Sequence, residues 1–92
     1  MAQTVIVAAG TTAASSTTQT IASGASATFV IYAASGGVQP DMSAEIAYDT
    51  PGGDVGVSCL SVSVPAVQIQ GPAQVIVKKS ASAASCGVLI ET

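Results

Sequence analysis

Four carboxylates, Asp41, Glu45, Asp49 and Asp54, fall within 14 consecutive residues and are the densest group of chemically capable side chains in the chain. Asp49 and Asp54 flank the turn Thr50-Pro51-Gly52-Gly53, where two carboxylates could share a calcium ion through oxygen ligands. The ligand spacing of an EF-hand loop is missing, and carboxylates at turn ends commonly cap or solvate the turn. Glu45 and Asp49 would act as an acid–base pair only in a pocket that shifts their ionisation. They fall instead on the polar phase of one alternating segment, where water solvates both. Neither a metal site nor a catalytic pair is expected.

The remaining chemistry is thinner. Gly36-Gly37 and Gly52-Gly53 lack the lysine and following helix of a phosphate loop. Lys78-Lys79 could meet a phosphate or an acidic partner, but lysines at strand ends more commonly guard sheet edges. Serine and threonine hydroxyls abound, yet with no His in the chain nothing is placed to activate them. The absence of His and Arg excludes histidine triads, His-ligated metals and arginine clamps on phosphate. Two lysines against five carboxylates, net charge −3, leave no basic stripe for a nucleic acid. Cys59 and Cys86, with no third Cys and no His, do not make a zinc site. A disulfide between them is conceivable, and both read more simply as buried thiols on the inward phase of their strands. The expectation is no enzyme and no cofactor.

What must position these residues is a set of strands. Val and Ile number 19 against two Leu, and β-branched side chains suit a pleated surface better than a helix. A short run at Val5 to Val7 is followed by Ala9 to Gln19, so poor in large apolar residues that it reads as a loop or arm. Thr18 to Ile21 is a second short piece. Ala25 to Ala34 is the strongest strand, with Ala27, Phe29 and Ile31 on one face and Thr28, Val30 and Tyr32 on the other. Met42, Ala44, Ile46 and Tyr48 alternate with polar partners, and Val55, Val57 and Cys59 continue at period two as an expected core face. Val67 with Ile69, Val75 with Val77, and Cys86, Val88 and Ile90 complete the series, with a turn at Gly71-Pro72 and a Ser/Ala loop over 80–85. Seven or eight short strands with turns between them predict one all-β domain over 1–92. It should be a single antiparallel β-sandwich, immunoglobulin-like in size. The buried Trp of a true immunoglobulin domain is absent, leaving Phe29, Tyr32 and Tyr48 as the large core pieces.

The N-terminus from Met1 to Val7 has no basic region before a long apolar core, so no secretory signal is expected. No stretch approaches the ~18 apolar residues of a membrane span. Both point to synthesis and retention in the cytoplasm unless the chain leaves in a larger assembly. Only 8% of residues are charged, against about 25% in ordinary soluble domains. Leu60, Ile76 and Leu89 lie off the core phase, beside Val30 and Tyr32 on the second face of the strong strand. Val30, Tyr32, Leu60 and Leu89 are therefore the candidate interface.

In Asp49-Thr50-Pro51-Gly52-Gly53-Asp54-Val55, in Gly71 to Lys79 and in Cys86-Gly87-Val88, the chain resembles small tailed-phage virion proteins. The likeness lies in a Thr/Ala/Ser-rich N-terminal strand, a Gly-Pro turn into the penultimate strand and an aliphatic last strand. It implies a capsid decoration or cement protein that ties neighbouring major capsid subunits together, often as a trimer, on a virion assembled in the host cytoplasm. No catalytic residues carry over, and Cys59 and Cys86 have no counterpart in that pattern. Two other readings compete. One is a receptor- or carbohydrate-binding module of a tail fibre, baseplate or adhesin, for which few aromatics are available. The other is a calcium-stabilised extracellular domain.

Overall fold

The computed structural model describes residues 3–92. Met1 and Ala2, which enter the reading of the N-terminus, lie outside them. Among the described residues there are nine strands and no helix: β1 (Gln3–Gly10), β2 (Ala14–Ser15), β3 (Gln19–Ile21), β4 (Ser26–Ala33), β5 (Ala44–Thr50), β6 (Gly53–Leu60), β7 (Ala66–Gln70), β8 (Ala73–Lys79) and β9 (Cys86–Glu91). The chain is an all-β antiparallel sandwich.

Its connectivity follows from one long hairpin folded over on itself. The tip is Pro51-Gly52 between β5 and β6. Moving outward, β4 pairs β7, then β2 and β3 both pair β8, and finally β1 pairs β9. Successive pairs alternate between two layers, and cross-pairing of β5 with β8 and of β4 with β9 knits each layer into a sheet. Sheet A runs β1-β9-β4-β7, and sheet B runs β2-β8-β5-β6 with β3 continuing along β8. Counting β2 and β3 as one interrupted strand, this is the eight-stranded double Greek key of a jelly roll.

The core lies between the sheets and is almost wholly aliphatic. Phe29, Ile31, Met42, Ile46, Leu60, Val75, Val77, Cys86 and Val88 are fully buried. β4 and β8 alternate strictly, burying every second residue, as half-buried strands should. Of the three aromatics expected in the core, only Phe29 is there. Tyr32 is half-buried on the outer face of sheet A, and Tyr48 is 38% exposed at the open end of the sandwich.

The larger correction concerns β6. Val55 and Val57 are exposed and so is Cys59, although period two places all three on the core face. Ile46 pairs Ser58 while Ala47 pairs Gly56, so Val57 has no partner and forms a β-bulge. One extra residue reverses the phase of everything beyond it. Leu60, opposite the buried Ala44, therefore enters the core with no exposed surface and cannot serve as an interface residue.

Lys78-Lys79 does not guard an edge, because β8 runs between β5 and the β2/β3 pair. Lys79 is buried, its Nζ donating to the Gly10 carbonyl at 2.7 Å. The segment over 9–19 is also pinned. Ser16 N–H donates to the Val77 carbonyl at 2.8 Å, and Val77 N–H donates to Ser16 Oγ at 3.0 Å. A short side chain thus takes over the ladder bond between β2 and β3.

Candidate functional site

Sheet A carries its apolar residues on both faces. Inward, Val7, Ala27, Phe29, Ile31, Ile69, Cys86 and Val88 form its share of the core. Outward, the register aligns Val5 with Leu89, Leu89 with Val30, and Val30 with Ala66. One apolar row therefore crosses all four strands on the solvent side. Val5 is 54% exposed, Ala66 is exposed, and Val30 and Leu89 are half-buried by each other. Tyr32 sits beside the row, opposite Gly87. A Cβ at Gly87 would lie 2.8 Å from the Tyr32 hydroxyl and 2.9 Å from its ring carbon Cζ, so the ring covers this glycine.

Three of the four expected interface residues, Val30, Tyr32 and Leu89, thus lie together, and Leu60 is excluded. Val5 and Ala66 were not legible as members, because only cross-strand register brings them into the row. A parallel row of Gln3, Glu91, Thr28 and Gln68 borders it, with Gln3 Nε2 donating to Glu91 at 3.0 Å.

The outer face of sheet B is mainly polar and charged, with Ile76 half-buried between Gln74 and Lys78. It carries Glu45, Asp49, Asp54 and Lys78 with Thr20, Gln74 and Cys59. Each carboxylate of the expected cluster has its own neighbour. Asp54 Oδ2 pairs with Lys78 Nζ at 2.7 Å, and Asp49 Oδ2 accepts from Thr18 Oγ1 at 2.9 Å. Asp41 leaves the cluster altogether, accepting from the Ala83 N–H at 2.8 Å, and Glu45 lies over Gly56. The hydrogen bond to Asp54 outweighs lost hydration and, with the charges of Asp54 and Glu45, holds the Lys78 ammonium above its ordinary range. That pair is well exposed and contributes little to stability. Among the described residues, no three acidic, Cys or His side chains gather to hold a metal.

Cys86 is buried in sheet A and Cys59 is exposed on the outer face of sheet B, so the two are not bonded. Only Cys86, whose sulfur lies 3.6 Å from Ser82 Oγ, fits the reading of a buried thiol. No known protein family, curated protein or solved structure matches the chain significantly.

Proposed function

We propose that this chain is a non-enzymatic structural protein of a phage virion, a head decoration or cement protein that lies on the capsid with sheet A turned toward it. The observation that carries the reading is the contrast between the faces: an apolar row spanning sheet A, and four of the seven charged side chains, Glu45, Asp49, Asp54 and Lys78, on the outside of sheet B. The row adds nothing to the protein's own core, and a protein seated on a shell covers it. The jelly roll supports the reading by analogy alone, since this fold also builds viral capsid domains.

The mechanism is multivalent. Each copy contributes a modest apolar contact, and repetition on a symmetric lattice turns many weak contacts into a clamp. Partners are the major capsid protein and further copies of the chain, a trimer being the arrangement that fits threefold positions on a shell. Mass spectrometry of purified virions tests this. The expected result is the chain in fixed proportion to the major capsid protein, and its absence from purified particles overturns the proposal.

A further inference from the structure

A sheet edge attracts another strand unless something blunts it. Three of the four edges of this sandwich are blunted. β1 shifts register twice against β9, between Val5 and Val7 and between Val7 and Gly10. The β2/β3 edge is interrupted at Ser16, whose hydroxyl takes the ladder bond from Val77. β6 carries the bulge at Val57 and the charge of Asp54. β7, the remaining edge of sheet A, has none of these: Ala66-Val67-Gln68-Ile69-Gln70 is uncharged, free of proline and in unbroken register with β4.

The phase of this edge is set by its neighbour. Ile31 N–H donates to the Pro65 carbonyl at 3.0 Å and Gly71 N–H to the Ala25 carbonyl at 2.9 Å, one at each end of the β4–β7 ladder. Antiparallel alternation between those ends turns the backbone groups of Val67 and Ile69 toward β4. Those of Ala66, Gln68 and Gln70 point out of the edge, and all three residues are exposed. Apolar exposure gathers on the same flank, where β6 borders sheet B as β7 borders sheet A and residues 61–65 join the two. Six large apolar side chains are exposed among the described residues, and four of them, Val55, Val57, Val62 and Val64, lie on β6 and that connection.

The strand that fits this edge without adjustment is β7 itself. Take a twofold axis through Gln68, perpendicular to the sheet. Gln68 then pairs with its own copy and Ala66 with the second copy's Gln70, so the free backbone groups of one edge meet those of the other. Val67 lies beside the second copy's Ile69 on the inner side, apolar against apolar. On the outer side the Gln68 amides meet, each both donor and acceptor, and Gln68 Nε2 is held there by Ser26 Oγ at 3.3 Å. A charged strand would find no counter-charge on β7.

We propose that β7 pairs antiparallel with β7 of a second copy, joining two four-stranded sheets into one. The twofold leaves both outer apolar rows on one side of the pair and brings the two valine-rich flanks side by side. The pairing belongs to the free protein and does not rest on the capsid reading. A threefold set on a shell uses a different contact, since a twofold closes on itself. The experiment is sedimentation velocity on the full chain across a concentration series, with amide hydrogen exchange at both ends of it. A reversible monomer–dimer equilibrium is expected, with the amides of Ala66, Gln68 and Gln70 protected only when the protein is concentrated. Those of Val67 and Ile69, bonded to β4, should be protected throughout. Gln68→Pro removes an N–H that points out of the edge, spares the β4 ladder, and should raise the dimer dissociation constant about tenfold or more. Gln68→Lys and Gln68→Glu each set like charges opposite one another at the axis and should weaken the dimer, while an equimolar mixture of the two restores it. A monomer up to millimolar concentration overturns the proposal, as does a dimer indifferent to both charged variants or one protected along β1 or β6 instead. Amides of Ala66, Gln68 and Gln70 that become protected only when virions are added give the edge to another chain's strand, which overturns it as well.

Discussion

Two glycines decide local geometry that no other residue could supply. A Cβ at Gly71 would lie 2.0 Å from the Ala22 carbonyl oxygen, where the turn into β8 presses on the chain leaving β3. At Gly87 the obstacle is the Val7 carbonyl oxygen at 2.5 Å, with the Tyr32 ring on top. Backbone cannot yield as a flexible side chain can, so Gly87→Ala should destabilise the domain by roughly 1–3 kcal/mol. A chemical denaturation midpoint equal to that of the parent would contradict this. The cysteines give a second residue-scale prediction. Because Cys59 is exposed and Cys86 buried, alkylation of the native, unreduced protein should label one thiol, at Cys59, and denaturation should release a second. Labelling of both in the native state, or of neither when unfolded, would show that the arrangement is wrong.

At the scale of elements, much was legible where the pattern was regular. β4 and β8 alternate without interruption, and their buried residues Ala27, Phe29, Ile31, Val75 and Val77 are those that period two selects. β6 was not legible, since nothing in Val55-Gly56-Val57-Ser58-Cys59-Leu60 marks Val57 as the unpaired residue. The bulge arises from pairing with β5, a long-range fact, and it moved Leu60 inward and Cys59 outward. β2 was missed because its contribution comes through backbone and the single hydroxyl of Ser16, not through apolar bulk. β6 is also an edge strand, paired only with β5, and Asp54 is its one charge. The bulge turns part of that edge aside, but Val55 and Val57, 53% and 41% exposed, carry no charge that keeps another strand off the rest of it. Val57→Lys should therefore reduce concentration-dependent self-association in sedimentation velocity, with stability changed by no more than about 0.5 kcal/mol. Association as strong as that of the parent would locate self-contact elsewhere.

Considered as a whole molecule, the sandwich is two-sided. Glu45, Asp49, Asp54 and Lys78 hydrate the outside of sheet B, while Val5, Leu89, Val30 and Ala66 cross the outside of sheet A. The candidate contact was thus partly visible in the apolar second face of β4, and its extent emerged only from register across four strands. A carboxylate introduced into that row is solvated in the free protein and desolvated without a partner once the face is covered. The most direct measurement is quantitative co-sedimentation of the parent and of Val30→Glu with virions stripped of this protein. The parent should bind to saturation in fixed ratio to the major capsid protein, and folded Val30→Glu should bind at least about tenfold more weakly. Equal binding by folded Val30→Glu, or no binding by the parent, would contradict the assignment of sheet A as the docking face.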